Sequence, residues 1–186
     1  NPKYNNEMLT DPVPAGVAVK DGVIYVSFVT GAPFAPGSAK VVQVAEDGTV
    51  TDFATGMNML TDLRTGPDNE LYAVSFGMAN EQGFAPNSGA LLRIKEGTGS
   101  EVVASGLSFP TSIAFNADGD AFVTTNGVGA PGSGQVLRFA KLVDAAGTAI
   151  EMTGAEAGAS DAGAEAPVAG TETMTGTETM TGTETM

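Results

Sequence analysis

The sequence predicts an all-β fold, and three observations lead to that prediction. Short runs of apolar residues alternate with polar ones, a period of two that is typical of half-buried strands. Turn pairs such as Asp21-Gly22 separate these runs, because they tolerate the positive φ of a two-residue hairpin. The same order of strands, turns and loops then recurs, since Ser38 and Ser88 are 50 positions apart. Gly56 and Gly106 show the same spacing of 50.

A repeat of this length with four strands is typical of a β-propeller blade, whose sheet buries both faces against its neighbours around a central axis. We therefore expect three blades, over residues 11–60, 61–109 and 110–148. A β-sandwich is the alternative, but it gives no reason for the repetition. Three blades are an incomplete set, because a propeller has about 4 to 8 of them. A six-bladed ring, which we expect here, would need roughly 290 residues at this period.

The predicted strands follow one order in each repeat. In the first repeat, residues 23–29 are rich in β-branched and aromatic residues, which favour strands. The predicted strands of the first repeat are residues 14–19, 23–29, 38–44 and 49–54. Those of the second are residues 60–64, 71–76, 88–94 and 100–104. Those of the third are residues 109–115, 120–126 and 133–138.

The third repeat shows no fourth strand. In closed propellers the last blade is often completed by a strand from the other end of the chain, which removes an open sheet edge. We therefore expect that strand, with about three further N-terminal blades of the same propeller, upstream of residue 1. Residues 1–10 are interpreted as a fragment of a preceding blade or a linker. Residues 149–186 are rich in Gly, Ala, Thr and Glu without any aromatic residue, which predicts a disordered tail.

Composition excludes several kinds of site and partner. The chain has no His and no Cys, so it cannot form a Ser-His-Asp or Cys-His triad, or an imidazole or thiolate metal site. Any bound metal would be a hard cation such as calcium, and no other cofactor is expected. The formal net charge of −14 argues against nucleic acid, whose phosphates would be repelled. No apolar run approaches the roughly 18 residues of a membrane helix, so no membrane span is expected.

Three polar residues in the first strands are candidates for ligand binding. Aligning the repeats places Asp62 and Ser112 at the position of Gly16, and Arg64 at the position of Ala18. Small residues are expected where blades converge at the axis, and Asp62 and Arg64 depart from that rule. They are two apart in a strand and project to one face, where they could hold a polar ligand, or a calcium ion at Asp62. The alternative is that they pair with each other or with one of the missing blades, and no catalytic residue is assigned.

Four further candidates lie in or beside the loops. Thr125 and Asn126 end a second strand, next to the loop face where propeller ligands often sit, and they could line a pocket. The alternative is that they cap the loop backbone. Phe34 and Phe84 occupy equivalent loops and could form an aromatic rim for a flat apolar ligand. Burial under the loop is the alternative for both rings.

Four segments carry a family resemblance, namely residues 21–27, 30–37, 66–72 and 129–138. They resemble the ScyD/ScyE family, exported propellers related to NHL-repeat proteins. The most specific motif is Thr-Gly-x-Pro-Phe-x-Pro-Gly at residues 30–37, whereas the motif Gly-Pro-Asp-x-x-Leu-Tyr at residues 66–72 is found in many propellers. The resemblance covers residues 11 to about 142 and matches the C-terminal half of such a protein.

This resemblance implies a fold and a location more directly than an activity. It implies export to the periplasm or the extracellular space, with a signal peptide upstream, and a binding or scaffold module. Its ligand, a small molecule or a protein, would sit at the central channel or the loop face. Propellers also host enzymes, so a calcium-dependent lactonase-like hydrolase or a synthase remains an alternative, acting on a small aromatic or sugar-derived substrate with Asp62 as metal ligand or base. A protein–protein interaction platform is the third possibility.

Overall fold

The structure, a computed structural model, describes residues 11–80, 82–150 and 172–173. These residues form β-strands and one short 3-10 helix at Leu142–Asp144, without any α-helix, so the all-β prediction is confirmed for the described part. No helix in this part is long and apolar enough to cross a membrane. In chain order the strands are β1 (Pro14–Lys20), β2 (Val23–Phe28), β3 (Ala39–Val44), β4 (Val50–Met57), β5 (Leu60–Thr65), β6 (Leu71–Ser75), β7 (Ala79–Asn80), β8 (Gly83–Phe84), β9 (Gly89–Ile94), β10 (Glu101–Leu107), β11 (Ser112–Phe115), β12 (Ala121–Thr125), β13 (Gln135–Phe139), β14 (Thr148–Ala149) and β15 (Glu172–Thr173).

The strands form three main antiparallel sheets, each following the order of the chain. Sheet 1 contains β1, β2, β3 and β4. Sheet 2 contains β5, β6, β9 and β10, and β14 pairs with the outer edge of β10. Sheet 3 contains β11, β12, β13 and β15. A small hairpin of β7 and β8 lies in the loop that follows β6. The order is the one that the repeats predict, with two additions from the C-terminal part of the chain.

One of those additions, β15, falls wholly inside the predicted disordered tail. Leu137 and Arg138 of β13 pair with Thr173 and Glu172, so β15 takes the fourth place in sheet 3, for which the sequence indicated no strand from this part of the chain. An edge strand presents unpaired backbone N–H and C=O groups, and any extended segment within reach can satisfy them. The rest of the predicted tail, apart from Ala149, Ile150 and this strand, lies outside the described residues, as does the predicted preceding-blade fragment 1–10.

Sheet 2 is buried on both faces. All five residues of β6 are buried, and alternate residues enter different cores. Leu71 and Ala73 belong to a core shared with sheet 1. Tyr72 and Val74 belong to a second core shared with sheet 3. Because side chains alternate across a strand, this division shows that sheet 2 is packed between the other two sheets.

Each sheet has a forward face and a rear face, defined by the repeat. The forward face is the side that carries Tyr25 in sheet 1, Tyr72 in sheet 2 and Phe122 in sheet 3. Tyr25 packs in the core between sheets 1 and 2, and Tyr72 packs in the core between sheets 2 and 3. The ring of Tyr72 lies 4.9 Å from that of Phe115 at the end of β11. The forward face of one sheet therefore packs on the rear face of the next.

The first strands of the three sheets lie side by side. β5 contacts β1 on one side and β11 on the other. The Thr65 hydroxyl donates to the Val19 carbonyl at 2.7 Å, which links β5 to β1. On the other side the Thr61 hydroxyl donates to the Pro110 carbonyl at 3.3 Å, just before β11. The three sheets thus come together along β1, β5 and β11, and this inner edge positions the polar candidates.

Candidate functional site

Asp62 lies on the inner edge and is 5% exposed. Its Oδ1 accepts a hydrogen bond from the Leu63 backbone N–H at 2.9 Å. Its Oδ2 accepts from the Ser112 hydroxyl at 2.7 Å and from the Ile113 backbone N–H at 3.0 Å. The Arg64 guanidinium lies 3.3 Å from Oδ1, and its side chain is half-exposed. The structure therefore brings together the three polar candidates of the first strands.

This arrangement makes Asp62 a link between sheets 2 and 3. Two of its hydrogen bonds cross from β5 to β11, and both carboxylate oxygens face N–H or O–H donors. A buried carboxylate is costly unless it is hydrogen-bonded or paired, and here it is both. Of the two possibilities that the sequence left open, the alternative of pairing with Arg64 matches the structure. The hydrogen bonds to β11 join Asp62 to a sheet of the described chain, which the sequence did not predict.

The surroundings of Asp62 do not fit a calcium ion. Calcium takes six to eight oxygen ligands, most of them from carboxylates and carbonyls. Asp62 is instead surrounded by hydrogen-bond donors and a guanidinium. Across residues 11–80, 82–150 and 172–173, no group of three or more acidic side chains is placed to hold a metal. Calcium at Asp62 stays an untested prediction, and no chemical step is derived from it.

Thr125 and Asn126 hold the loop after β12. Thr125 is buried and pairs with Gln135 across the sheet. Asn126 adopts a positive φ of 58°, a conformation that Asn tolerates better than most residues. Its backbone N–H donates to the Ser108 carbonyl at 2.9 Å, and its own carbonyl accepts from Gly129 at 3.0 Å. The structure thus gives both residues a part in shaping the loop, and a ligand contact at either stays a prediction.

Four phenylalanine rings form a continuous row across the loops, which we call the aromatic row: Phe34, Phe84, Phe76 and Phe109. Successive ring centroids lie 5.4, 5.3 and 5.6 Å apart in that order. Phe84 is 40% exposed, Phe34 is half-buried and Phe76 is buried. The two predicted rim residues therefore contact each other and stand at the exposed end of the row. The row runs from the loop between β2 and β3 in sheet 1, through the loop between β6 and β9 in sheet 2, to the segment that precedes β11 of sheet 3.

Phe76 and Phe109 were not predicted as site residues. The sequence placed both in strands, where an aromatic residue is ordinarily part of the core. In the structure Phe76 directly follows β6, and Phe109 precedes β11 with a positive φ of 50°. A signal was present, since Phe76-Gly77 and Phe109-Pro110 each join an aromatic residue to a strand-breaking one.

Two other ionisable groups serve the fold. The Tyr72 hydroxyl donates to Asp68 at 2.8 Å and accepts from Arg93 at 3.3 Å. Burial raises the pKa of Tyr72 to about 12, so the phenol stays neutral at ordinary pH and is no general base. The Asp120 carboxylate accepts from the Lys141 backbone N–H at 2.9 Å and from Arg138 at 2.7 Å. These hydrogen bonds, that of Lys141 first, lower the pKa of Asp120 to about 2.

The lowered pKa of Asp120 predicts a specific pH dependence of stability. Its ordinary value is 3.8, so the native state holds the proton less tightly than the unfolded chain. The stabilisation by Asp120 is therefore complete above about pH 4 and is lost as the pH falls through about 2. We expect Asp120→Asn to be less stable than the parent at pH 7, with the difference shrinking below pH 4. Urea unfolding at a series of pH values measures it.

The matched control is Asp118→Asn, which changes an exposed acid in the same turn. Its free energy of unfolding should stay close to that of the parent over the same pH range. A difference for Asp120→Asn that is constant from pH 7 to pH 2 would contradict the expected linkage.

Comparison with known proteins gives no family assignment. No protein-family model matches the chain, and no curated protein matches it significantly. The ScyD/ScyE resemblance of the loop segments therefore stays a prediction.

Proposed function

We propose that this chain is a binding module built from β-propeller blades of the ScyD/ScyE type, and that its ligand contacts the aromatic row. Three antiparallel sheets in one strand order, the burial of both faces of sheet 2 and the side-by-side first strands support the blade interpretation. Export to the periplasm or the extracellular space belongs to the same proposal, as the resemblance implies.

The aromatic row is the observation that carries the binding function. Core aromatic residues are normally buried, whereas this row ends in a ring that is 40% exposed. Exposed Met78 lies in the same loop, and its carbonyl accepts from Ala85, next to Phe84. An apolar patch with several aromatic rings is the kind of surface that marks a ligand or partner site.

The geometry of the row indicates the class of ligand. Phe34 and Phe84 meet at an interplanar angle of 61°, and Phe84 and Phe76 meet at 83°. Aromatic pairs prefer offset-stacked or edge-to-face arrangements, so a further aromatic group can pack in the same way on the exposed part of Phe84. The formal net charge of −14 disfavours an anionic ligand. A flat, neutral aromatic molecule therefore fits best.

The titratable groups favour binding over catalysis. Asp62, the candidate metal ligand or base of the hydrolase alternative, accepts three hydrogen bonds and contacts Arg64. Tyr72 stays protonated, and Asp120 is held by Arg138 and Lys141. General acid–base catalysis needs a group whose pKa lies near the working pH. Neither Tyr72 nor Asp120 meets that requirement.

The proposal predicts that Phe84→Ala weakens binding of a flat neutral aromatic probe. N-phenyl-1-naphthylamine, which fluoresces in apolar surroundings, is a suitable probe. Because an aromatic contact contributes about 1.4 kcal/mol, we expect a roughly tenfold higher Kd for the variant. Phe84→Leu keeps an apolar side chain without the ring, so its Kd for the probe should lie between that of the parent and that of Phe84→Ala.

Two controls separate the aromatic row from other apolar surface. Exposed Val17 and Val19 of β1 could also attract the probe, and the double variant Val17→Thr/Val19→Thr removes that apolar surface. In this background Phe84→Ala should raise the Kd by the same factor as in the parent. An unchanged thermal melting profile shows that Phe84→Ala keeps its fold. Equal probe affinity in the parent and in Phe84→Ala would overturn the proposed site.

A further inference from the structure

The loop after β12 begins with the pair Asn126-Gly127, and no other asparagine in the sequence is followed by glycine. An asparagine side chain can react with the backbone nitrogen of the next residue, because the two groups can close a small, unstrained ring. Glycine leaves this approach open, since it has no side chain and allows the widest range of backbone conformations. The sequence therefore favours this reaction most strongly at Asn126.

The side chain of Asn126 is held more weakly than those of the other asparagines in the described part of the chain. Its Nδ2 donates to the Gln135 Oε1 at 3.5 Å, at the outer limit for a hydrogen bond. Its Oδ1 accepts no hydrogen bond from any described residue. Each of the others makes at least one side-chain hydrogen bond of 2.9 Å or shorter, and they are Asn58, Asn69, Asn80, Asn87 and Asn116. The Asn126 amide is thus the least restrained of the set.

The backbone nitrogen of Gly127 is free to react. Gly127 is exposed, and within residues 11–80, 82–150 and 172–173 its N–H donates no hydrogen bond. The Asn126 carbonyl accepts from the Gly129 N–H at 3.0 Å, so the peptide unit between Asn126 and Gly127 must rotate and break this bond before the ring can close. Because a single hydrogen bond of this kind contributes little, its loss slows the reaction by no more than roughly tenfold.

We propose that Asn126 is a site of spontaneous deamidation. The Gly127 backbone nitrogen gives its proton to a base in the solvent and attacks the Asn126 Cγ. The N–Cγ bond forms, the Cγ–Nδ2 bond breaks, and Nδ2 leaves as ammonia. Water then adds to one of the two carbonyl carbons of the cyclic imide and opens the ring to aspartate or to isoaspartate. The net reaction consumes one water, releases one ammonia and converts a neutral amide into a carboxylate, without oxidation or reduction.

Isoaspartate changes the loop more than aspartate does. In isoaspartate the main chain runs through Cβ and Cγ, and the original carbonyl becomes a carboxylate outside the main chain. Asn126 is tied at its N–H to the Ser108 carbonyl at 2.9 Å and at its carbonyl to Gly129, and both bonds fit an ordinary main chain. Isoaspartate at this position should therefore loosen the loop from the segment that precedes β11.

Incubation of the 186-residue chain in alkaline buffer tests the inference, because the reaction needs a deprotonated backbone nitrogen. Peptide mass mapping should show the mass gain of deamidation at Asn126 before any other described asparagine, and more slowly in weakly acidic buffer. Asn126→Gln should suppress the mass gain at this position, since glutamine must close a larger and less favourable ring. Gly127→Ala should slow it severalfold, because the added methyl group hinders the approach of the nitrogen.

Unfolding in urea separates the effect of the fold from that of the sequence pair. Asn87 is the matched comparison, because a small residue, Ser88, follows it and its Oδ1 accepts from the Ser108 hydroxyl at 2.7 Å. Urea releases that hydrogen bond, whereas Asn126 has little side-chain restraint to lose. The ratio of the Asn126 rate to the Asn87 rate should therefore be higher in the folded chain than in urea.

Thermal melting measures the change in the loop. The chain that carries isoaspartate should melt at a lower temperature than fresh protein. Asn126→Asp adds the same charge without lengthening the main chain, so it should melt close to the parent. Equal melting of fresh protein, Asn126→Asp and the isoaspartate form would contradict the loosening of the loop.

Three results would overturn the proposed site. The first is a folded chain whose Asn126 amide stays intact in alkaline buffer while another described asparagine reacts or none does. The second is an equally fast mass gain at this position in Asn126→Gln. The third is an equal ratio of the Asn126 and Asn87 rates in the folded chain and in urea. None of these measurements involves Phe84 or the aromatic probe, so they leave the proposed ligand site to its own test.

Discussion

Replacing Asp62 by Ala is expected to lower the free energy of unfolding by about 3–5 kcal/mol. The change removes the acceptor for the Leu63 and Ile113 N–H groups and for the Ser112 hydroxyl. Each buried donor left without an acceptor costs about 1–3 kcal/mol. Because two of these bonds join β5 to β11, the loss also loosens the contact between sheets 2 and 3. Urea unfolding at one fixed protein concentration measures the effect and keeps any contribution from association constant.

The matched control for Asp62→Ala is Asp52→Ala. Asp52 pairs with Lys40 at 2.6 Å, and both side chains are well exposed. Exposed ion pairs contribute about 0–1 kcal/mol, so this variant should remain close to the parent. If Asp62→Ala were as stable as Asp52→Ala, Asp62 would not link the sheets. If calcium raised the melting temperature of the parent and not that of Asp62→Ala, the calcium hypothesis would replace the structural role.

The strands could be predicted because their signals are local. Alternation and turn pairs lie within a few residues of one another, and the repeat then indicates which strands correspond between the repeats. β15 could not be predicted in this way. Its two residues lack any apolar alternation, and they pair with β13 only because the edge of sheet 3 is open beside them.

The candidate site was predicted only in part, because the sequence indicates which residues occupy equivalent positions and does not show which of them meet between sheets. Aligning the repeats placed Asp62 and Ser112 at one position, but it did not show that Asp62 reaches across to β11. That contact depends on how closely neighbouring first strands approach, which no single repeat encodes. Phe34 and Phe84 were recognised because the two loops are alike. Phe76 and Phe109 join them only through the packing of three sheets.

The inner edge limits which side chains the first strands can carry. Polar Asp62 is accommodated because β11 supplies donors, and half-exposed Arg64 pairs with it. Gly16, the equivalent residue in sheet 1, instead lies directly against the backbone of β5. The same repeat position therefore links two sheets through a carboxylate at one junction and through close backbone approach at the other.

Replacing Gly16 by Ala should consequently destabilise the protein by about 3 kcal/mol, the upper part of the range for overpacking. The added Cβ would overlap the Leu63 backbone nitrogen and lie 2.7 Å from the Asp62 carbonyl carbon. Backbone atoms in a paired strand cannot turn aside as a side chain can, so β1 and β5 must separate. Gly134→Ala is the control, because its Cβ would meet no atom within 4 Å. Urea midpoints of the two variants compare the effects, and a Gly16→Ala midpoint equal to that of Gly134→Ala would show that β1 and β5 do not approach this closely.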